Sequence, residues 1–149
     1  MSARKLFRFV TSANCRIEWM PWGRHVWLSR PGLTDTKQLL VVRVEMPPGT
    51  GHQFHYHPAR EEVLIVLDGR AEQWVDRDHR MLKAGESAFI PKGVVHGIYN
   101  TTRRKCTFLA ILSPAEAPGP MLVDCFRDHP WCELREPFEY KPLRRAGKA

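Results

Sequence analysis

Long apolar runs, low-complexity segments and internal repeats are all absent from the 149-residue sequence. No stretch approaches the roughly 20 consecutive apolar residues that a membrane-spanning helix needs, so we expect no membrane partner. Near the N-terminus, LFRFV is interrupted by Arg8 and is too short for the apolar core of a signal peptide. The expectation is therefore a cytoplasmic protein of ordinary globular composition, 43% hydrophobic and 26% charged.

Excess basic charge is missing from the body of the chain, although the formal net charge is +7. Seven unbalanced basic residues lie at the two ends: Arg4, Lys5, Arg8, Lys141, Arg144, Arg145 and Lys148. Residues 9–140 therefore balance to zero, whereas a nucleic-acid-binding protein would need a basic stripe along its body. We expect solvated tails and no nucleic-acid partner, with weak binding of polyanions through the tails as the alternative.

Cysteine is scarce, with four residues in a chain that shows no secretion signal. Such cysteines are expected to be reduced thiols rather than disulfides. Cys125, His129 and Cys132 combine metal-binding residue types, but their spacing matches no structural zinc pattern. We interpret them as free or packed side chains.

Helical periodicity is almost absent, whereas short strand-like segments recur along the middle of the chain. LLVVRVEM (39–46) is a run typical of a buried strand and is followed by the turn formers PPGTG. EVLIVLDG (62–69) is a second such run and ends at an Asp-Gly turn. About eight strands are predicted between residues 38 and 112, which favours an all-β sandwich or barrel in a single domain.

Composition divides the chain into three parts. Residues 1–37 mix tryptophans with proline and glycine, which predicts an irregular arm that packs on the barrel or swaps over a neighbouring barrel. Residues 38–114 contain the predicted core barrel. Residues 115–149 form a Pro-rich extension that ends in the basic tail, with a short helix or an edge strand as the alternatives for its structure.

Two histidines and a glutamate stand beside one of the predicted buried strands. In HQFHYH (52–57), strand alternation places Gln53, His55 and His57 on one face. Glu62 begins the next strand and can face the same interior, where a carboxylate needs a partner or a metal ion. His96, at the start of a later strand, is a fourth candidate. Three imidazoles and one carboxylate suit a divalent transition metal.

The spacing of these residues resembles the two conserved motifs of the cupin superfamily. Gly49-x5-His55-x-His57-x4-Glu62-x6-Gly69 matches the first motif, and Gly85-x5-Pro91-x-Gly93-x2-His96-x3-Asn100 matches the second. The 15 residues between the motifs are as few as in small single-domain microbial cupins. The resemblance covers residues 38 to about 112, and His25 and His52 belong to neither motif.

The resemblance implies a jelly-roll β-barrel, the double-stranded β-helix of cupins, and a homodimer. It also implies one divalent transition metal ion (Fe, Mn, Ni or Zn) held by four ligands: His55, His57, Glu62 and His96. From the faces that they share with these ligands, four residues are expected to line the pocket: Gln53, Leu64, Val66 and Ile98.

One cupin barrel hosts many chemistries, so the fold alone does not fix the function. We predict a metal-dependent enzyme that acts on a small organic substrate, a dioxygenase in the first place, with Glu62 as metal ligand and catalytic base. Quercetinase-like and acireductone-type relatives use such a glutamate. The alternative is a non-catalytic cupin that binds a metal and a ligand, or acts as a sensor. Phosphosugar isomerisation is disfavoured because the pocket is not visibly basic.

Overall fold

The structure, a computed structural model, describes residues 5–142, and nearly all of its regular structure is β-strand. The elements in chain order are β1 (Arg16–Met20), β2 (Gly23–Ser29), β3 (Leu40–Met46), β4 (Gly51–Tyr56), β5 (Glu61–Asp68), β6 (Arg70–Val75), β7 (Asp78–Lys83), β8 (Ser87–Ile90), β9 (His96–Tyr99), β10 (Cys106–Ser113), β11 (Val123–Asp124) and α1 (Trp131–Leu134). No helix within residues 5–142 has the length and apolarity of a membrane span.

The strands form two antiparallel sheets. One has the order β1-β2-β3-β10-β5-β8 and the other the order β11-β4-β9-β6-β7. This arrangement is the double-stranded β-helix, so the predicted all-β cupin fold is confirmed. Within the described part of the chain no strand pairs across the two sheets, so the predicted jelly roll takes the form of two layers rather than a closed barrel.

The eight strands predicted between residues 38 and 112 correspond to β3–β10. The N-terminal region differs from the prediction, because residues 16–29 form two strands rather than an irregular arm. β2 pairs with β3, and His25 and Trp27 lie opposite Val44 and Val42. Gly23 allows this pairing, since a Cβ there would lie 2.5 Å from the carbonyl oxygen of Glu45.

The C-terminal extension contains both alternatives that were left open for it. β11 pairs with β4, and α1 follows as a single short helix. The extension packs against the outer face of the five-stranded sheet, where Trp131 and Phe138 contact a buried cluster formed by Phe54, Trp74, Tyr99 and Cys125. Most of the predicted basic tail, at residues 143–149, and Arg4 lie outside the described residues.

The main core lies between the two sheets. Met46, Val66, Ala71 and Cys106 are completely enclosed there, because each points inward from its strand. The core does not fill the whole space between the sheets. The remaining volume is a cavity that reaches the motif histidines.

Candidate metal centre

Three buried histidines converge at one end of this cavity. His55 lies on β4, His57 follows that strand, and His96 begins β9. His55 pairs with His96 across the two strands, and their ring centroids lie 4.2 Å apart. One ring nitrogen of each histidine lies within 4.8 Å of a ring nitrogen of the other two. These three side chains could therefore bind one metal ion.

The second ring nitrogen of each histidine is held by the backbone. Each Nδ1 atom lies at hydrogen-bond distance from one carbonyl oxygen: His55 from that of Gln53 (2.7 Å), His57 from that of Met121 (2.9 Å) and His96 from that of Val94 (3.0 Å). Because a carbonyl oxygen only accepts, Nδ1 carries the proton in each ring. Nε2 of a neutral ring then has a free lone pair, which is the form of imidazole that binds metal ions.

Glu62 brings a carboxylate from the opposite sheet next to two of these histidines, His57 and His96. Its Oε2 atom lies 3.1 Å from Nε2 of His57 and 3.0 Å from Nε2 of His96. Oε2 of Glu62 and Nε2 of His96 are both buried, yet their orientation does not make a hydrogen bond. Buried polar atoms this close need a shared partner, and a cation with nitrogen and oxygen ligands supplies one. The donor set therefore fits a transition metal.

Charge at the cluster follows from burial and from the Glu62 contacts. Burial opposes ionisation of Glu62, but His57 and His96 outweigh this effect and hold the pKa of Glu62 well below its ordinary value. The pKa of His96 is raised overall. Burial lowers it, but the neighbouring Glu62 carboxylate raises it by more. Burial lowers the pKa of His55 well below its ordinary value. A cation at this site would therefore compete with protonation of His96.

A bulge in β4 changes which residues face the cluster. The pairing of β4 with β9 shifts register between His52 and His55, so one extra residue interrupts the strand alternation. His52 and His55 consequently face the same way, and their rings stack at 3.6 Å. The prediction that Gln53 lines the pocket is wrong. Its side chain instead donates to the carbonyl oxygen and accepts from the N–H of Phe138, at 2.9 and 3.1 Å.

The other three predicted pocket residues do not all reach the cavity. Leu64 and Ile98 line it. Val66 does not, because it is fully enclosed in the core, on β5 opposite Phe108. The prediction for Val66 is wrong for a simple reason. Strand alternation indicates which face a side chain occupies, but not how far along that face the cavity extends.

The cavity that opens from the cluster has a volume of about 160 Å³ and mostly apolar walls. The aliphatic, aromatic and thioether side chains that line it are Met20, Trp22, Trp27, Val42, Val44, Leu64, Ile98, Phe108, Ala110, Leu112, Met121 and Leu122. No lysine or arginine of the described residues lines it. A dry apolar cavity of about 150 Å³ holds one benzene ring. Size and polarity therefore suit a single-ring or short-chain organic molecule.

The cavity residues that lie outside the motifs include two tryptophans and two histidines: Trp22, His25, Trp27 and His52. His52 is sandwiched between His55 and Trp22, with 3.7 Å between the centroids of the His52 and Trp22 rings. His25 accepts a hydrogen bond from the indole N–H of Trp22 at 3.0 Å. The alternation of His25 and Trp27 in GRHVWLS could have indicated an inward-facing strand pair, but no motif marks it.

The second group of metal-binding residue types does not form a site. All four cysteines are free, and Cys125 is buried in the outer cluster. Sγ of Cys132 lies 3.6 Å from Nδ1 of the exposed His129, which also contacts Glu133. Among residues 5–142, only the three motif histidines bring three such ligand atoms together. The interpretation of these cysteines as free or packed is confirmed.

Sequence comparison matches a family model, described as the cupin domain, to residues 42–112. An uncharacterised protein of Aquifex aeolicus (strain VF5) is 41% identical over 61 residues, which are 41% of this chain and 50% of that protein. Germin-like protein 3-1 of Oryza sativa subsp. japonica is 32% identical over 110 residues, or 68% of this chain and 48% of that protein. The chain spans about half the length of these curated relatives.

Structure comparison finds the same fold in proteins of low sequence identity. KdgF from Halomonas sp. aligns with a TM-score of 0.65 and 18% identity, over 74% of this chain and 96% of its own. Oxalate decarboxylase of Bacillus subtilis, described with Mn(II) centres, aligns with a TM-score of 0.59 and 20% identity, over 68% of this chain and 28% of its own. At these identities, the likeness shows a shared fold.

Proposed function

This chain is a small cupin-domain protein, and we propose that it is a metal-dependent enzyme acting on a small organic substrate, specifically a dioxygenase of enols or phenols. The observation that carries the proposal is one juxtaposition. Three histidines whose ring nitrogens could bind one metal ion, with the Glu62 carboxylate beside two of them, line an apolar cavity whose volume matches a single ring. A substrate in the cavity would therefore have one end against the metal ligands.

The four proposed ligands are His55, His57, Glu62 and His96. A bound divalent metal such as Fe, Mn, Ni or Zn would supply a Lewis acid with open positions for a substrate oxygen or, for a redox-active ion, O₂. The backbone bonds to Nδ1 fix the three rings before the substrate arrives. The apolar walls exclude water from the reacting atoms.

Glu62 is the proposed proton acceptor as well as a ligand. Its carboxylate is stabilised by His57 and His96, so it is a weak base that takes a proton only from an acidic group. A free enol or phenol hydroxyl is less acidic than this carboxyl group, so its proton could move to Glu62 only once a bound metal ion lowered the pKa of the hydroxyl, which requires a smaller shift for an enol or phenol than for a simple alcohol. Because Oε2 faces both imidazoles and the proposed metal position, Glu62 would accept the proton at its other carboxylate oxygen, Oε1.

Cavity charge argues against strongly anionic substrates. Three neutral imidazoles and the Glu62 carboxylate would leave a divalent ion with a single net positive charge, so the oxalate dianion or the phosphate of a phosphosugar would still need a cationic side chain. No described lysine or arginine lines this cavity. The cavity therefore does not support the activity of oxalate decarboxylase in this chain, although the Mn(II) centres described for that protein support the proposal of a bound metal.

Oxygen uptake tests the proposal. Protein purified without added metal is first analysed for its elements, then loaded separately with Fe(II), Mn(II), Ni(II) or Zn(II) and offered single-ring phenols and short-chain enols. We expect oxygen consumption with at least one redox-active ion and none with zinc. Glu62→Gln should lower the rate by about 10²- to 10⁴-fold, the usual contribution of a general base. His129→Gln, at an exposed position, is the matched control.

A non-catalytic cupin that binds or senses a ligand is the second candidate. It is favoured by the same apolar cavity, which suits binding of a ligand as well as turnover. The binding role would be supported if the metal-loaded protein bound a phenol or enol saturably but consumed no oxygen and formed no product with any metal. That result would rule out the enzymatic proposal. The homodimer remains a prediction, and light scattering coupled to size exclusion measures it.

A further inference from the structure

Unpartnered polar atoms concentrate on the wall of the cavity. Nine buried side-chain nitrogen or oxygen atoms have no hydrogen-bond partner among the described residues, and five of them belong to cavity residues: His25, Trp27, His52, Glu62 and His96. Glu62 and His96 belong to the metal centre, and His52 is stacked on it. His25 and Trp27 do not, because the rings of Trp22 and His52 lie between His25 and His55. The unpartnered nitrogen atoms of His25 and Trp27 are therefore not explained by metal binding.

The free nitrogen of His25 is a hydrogen-bond donor. Nε2 accepts the indole N–H of Trp22 at 3.0 Å, so the proton of the neutral ring is on Nδ1. Burial lowers the pKa of His25 to about 4, with Glu18 opposing the shift, so the ring is neutral at pH 7. Nδ1–H is buried and has no acceptor. His25 is nine-tenths buried, with 9% of its surface exposed.

Trp27 supplies a second donor beside the first. It lies two residues after His25 on β2, on the same face, and its ring centroid is 6.2 Å from that of His25. Its Nε1–H is buried without a partner, and an indole nitrogen can only donate. Leaving a buried donor unpaired costs about 1–3 kcal/mol. Both residues line the cavity, so an acceptor bound there could partner the two N–H groups with only a small side-chain adjustment.

We propose that His25 Nδ1–H and Trp27 Nε1–H form a second recognition point, away from the metal centre, that binds an uncharged carbonyl oxygen of the substrate. The inference rests on the proposed function and deepens it by naming the substrate class. A phenol or enol would place its hydroxyl at the metal centre and its carbonyl group at β2.

Charge at this end of the cavity selects a neutral oxygen. Glu18, on β1, also lines the cavity and lies near His25. A carboxylate on the substrate would be repelled by Glu18 and would find no cationic side chain on the described cavity wall. A ketone, aldehyde or amide oxygen accepts two hydrogen bonds without carrying a charge. With room for about one ring, the substrate class is a single-ring phenol with a carbonyl substituent, or an open-chain enol of similar size.

Calorimetric titration of zinc-loaded protein tests this inference without turnover, because zinc is redox-inert. Three probes differ only in the group opposite the hydroxyl: 4-hydroxyacetophenone, 4-ethylphenol and 4-hydroxybenzoate. We expect the ketone to bind about tenfold more tightly than 4-ethylphenol, whereas 4-hydroxybenzoate, whose carboxylate can turn to the zinc ion, should bind independently of Trp27. Trp27→Phe keeps a ring but removes the donor. It should weaken ketone binding by about three- to tenfold, the value of one neutral hydrogen bond, and leave 4-ethylphenol unchanged.

Trp74→Phe is the matched control. Its Nε1–H is also buried and unpartnered, but Trp74 lies in the outer cluster and does not line the cavity. It should bind all three probes as the unmodified protein does. His25→Phe gives an independent second variant and should also weaken the ketone selectively.

If Trp27→Phe weakened the binding of the ketone and of 4-ethylphenol equally, Trp27 would act only through packing, and the inference would be overturned. The inference would also be overturned if the ketone bound no better than 4-ethylphenol, or if none of the three probes bound. Failure of the proposed function has a different signature. In that case the ketone preference and its dependence on Trp27 persist, while no metal supports oxygen uptake.

Discussion

The two ends of the cavity are built in different ways. At the metal end, each histidine is anchored through Nδ1 by a backbone carbonyl, and the Nε2 atoms converge with a carboxylate. At the β2 end, Trp22 holds His25 through a side chain, and two N–H groups are left without partners. Backbone anchoring fixes a ligand set without depending on neighbouring side chains, whereas the β2 end can change with a single substitution.

The two ends also come from different parts of the chain. All four proposed metal ligands fall within residues 42–112, which match the cupin domain. Trp22, His25 and Trp27 precede that match and reach the cavity because β2 pairs with β3. The difference teaches that the domain supplies the proposed metal ligands, while the strands added to its edge supply a wall of the cavity. Substitutions at the two ends should therefore have separable effects.

The largest expected effect is on metal content. His57→Ala or His96→Ala removes one proposed ligand and leaves Glu62 buried with one partner fewer. Metal affinity should fall by more than the 10- to 100-fold that loss of a ligand's hydrogen-bond partner costs. The melting temperature should fall as well, because metal binding favours the folded state. Elemental analysis after gel filtration and a thermal melt measure both.

His25→Ala sharpens the comparison at the other end. It should leave about one metal ion per chain, since His25 does not belong to the cluster. Metal loss in this variant would show that the two ends are not independent. Retention of one ion per chain in both His57→Ala and His96→Ala would show that the ligand assignment is wrong.

A smaller effect is expected on how the free energy of unfolding of metal-free protein depends on pH. The pKa of His25 falls from its ordinary value of 6.5 to about 4 in the folded chain, chiefly through burial. As the pH drops below 6.5, the unfolded chain takes up a proton at His25 that the folded chain refuses until about pH 4. The free energy of unfolding therefore decreases across this window, by at most about 3 kcal/mol from this residue.

Urea unfolding of metal-free protein at pH 7 and pH 4.5 measures that decrease. His25→Phe should lose less stability between the two pH values than the unmodified protein, whatever its stability at pH 7. Burial also lowers the pKa of His52 and His55, but both residues are present in each protein, so the difference isolates His25. An unchanged decrease in His25→Phe would contradict a buried neutral His25. His129→Gln is the exposed control.

Sequence patterns predicted the fold and the histidine cluster because both depend on local spacing. The ligand motif is a matter of residue types at fixed intervals, and strands β3–β10 follow from alternation and turn formers. The 15 residues between Gly69 and Gly85 leave room for only a short hairpin, which β6 and β7 form.

The errors arose where position depends on partners distant in the sequence. The bulge in β4 is created by its pairing with β9, and it turns His52 toward the cavity and Gln53 away from it. β2 becomes part of the six-stranded sheet only because it pairs with β3. Nothing in the local sequence of Val66 indicates that the cavity ends before it. Such features follow from pairing and depth, which a single sequence does not encode locally.

Gln53→Ala gives the smallest of these effects and tests the correction directly. Because the Gln53 side chain bonds Phe138 rather than facing the metal centre, its loss removes two hydrogen bonds to the C-terminal extension. The free energy of unfolding should fall by about 1–2 kcal/mol, from two buried bonds to backbone groups. Metal content and probe affinity should stay unchanged, since the Nδ1 contact of His55 uses the backbone carbonyl of residue 53 and survives the substitution. A loss of probe affinity at unchanged stability would return Gln53 to the pocket, and would mean that the bulge does not turn it outward.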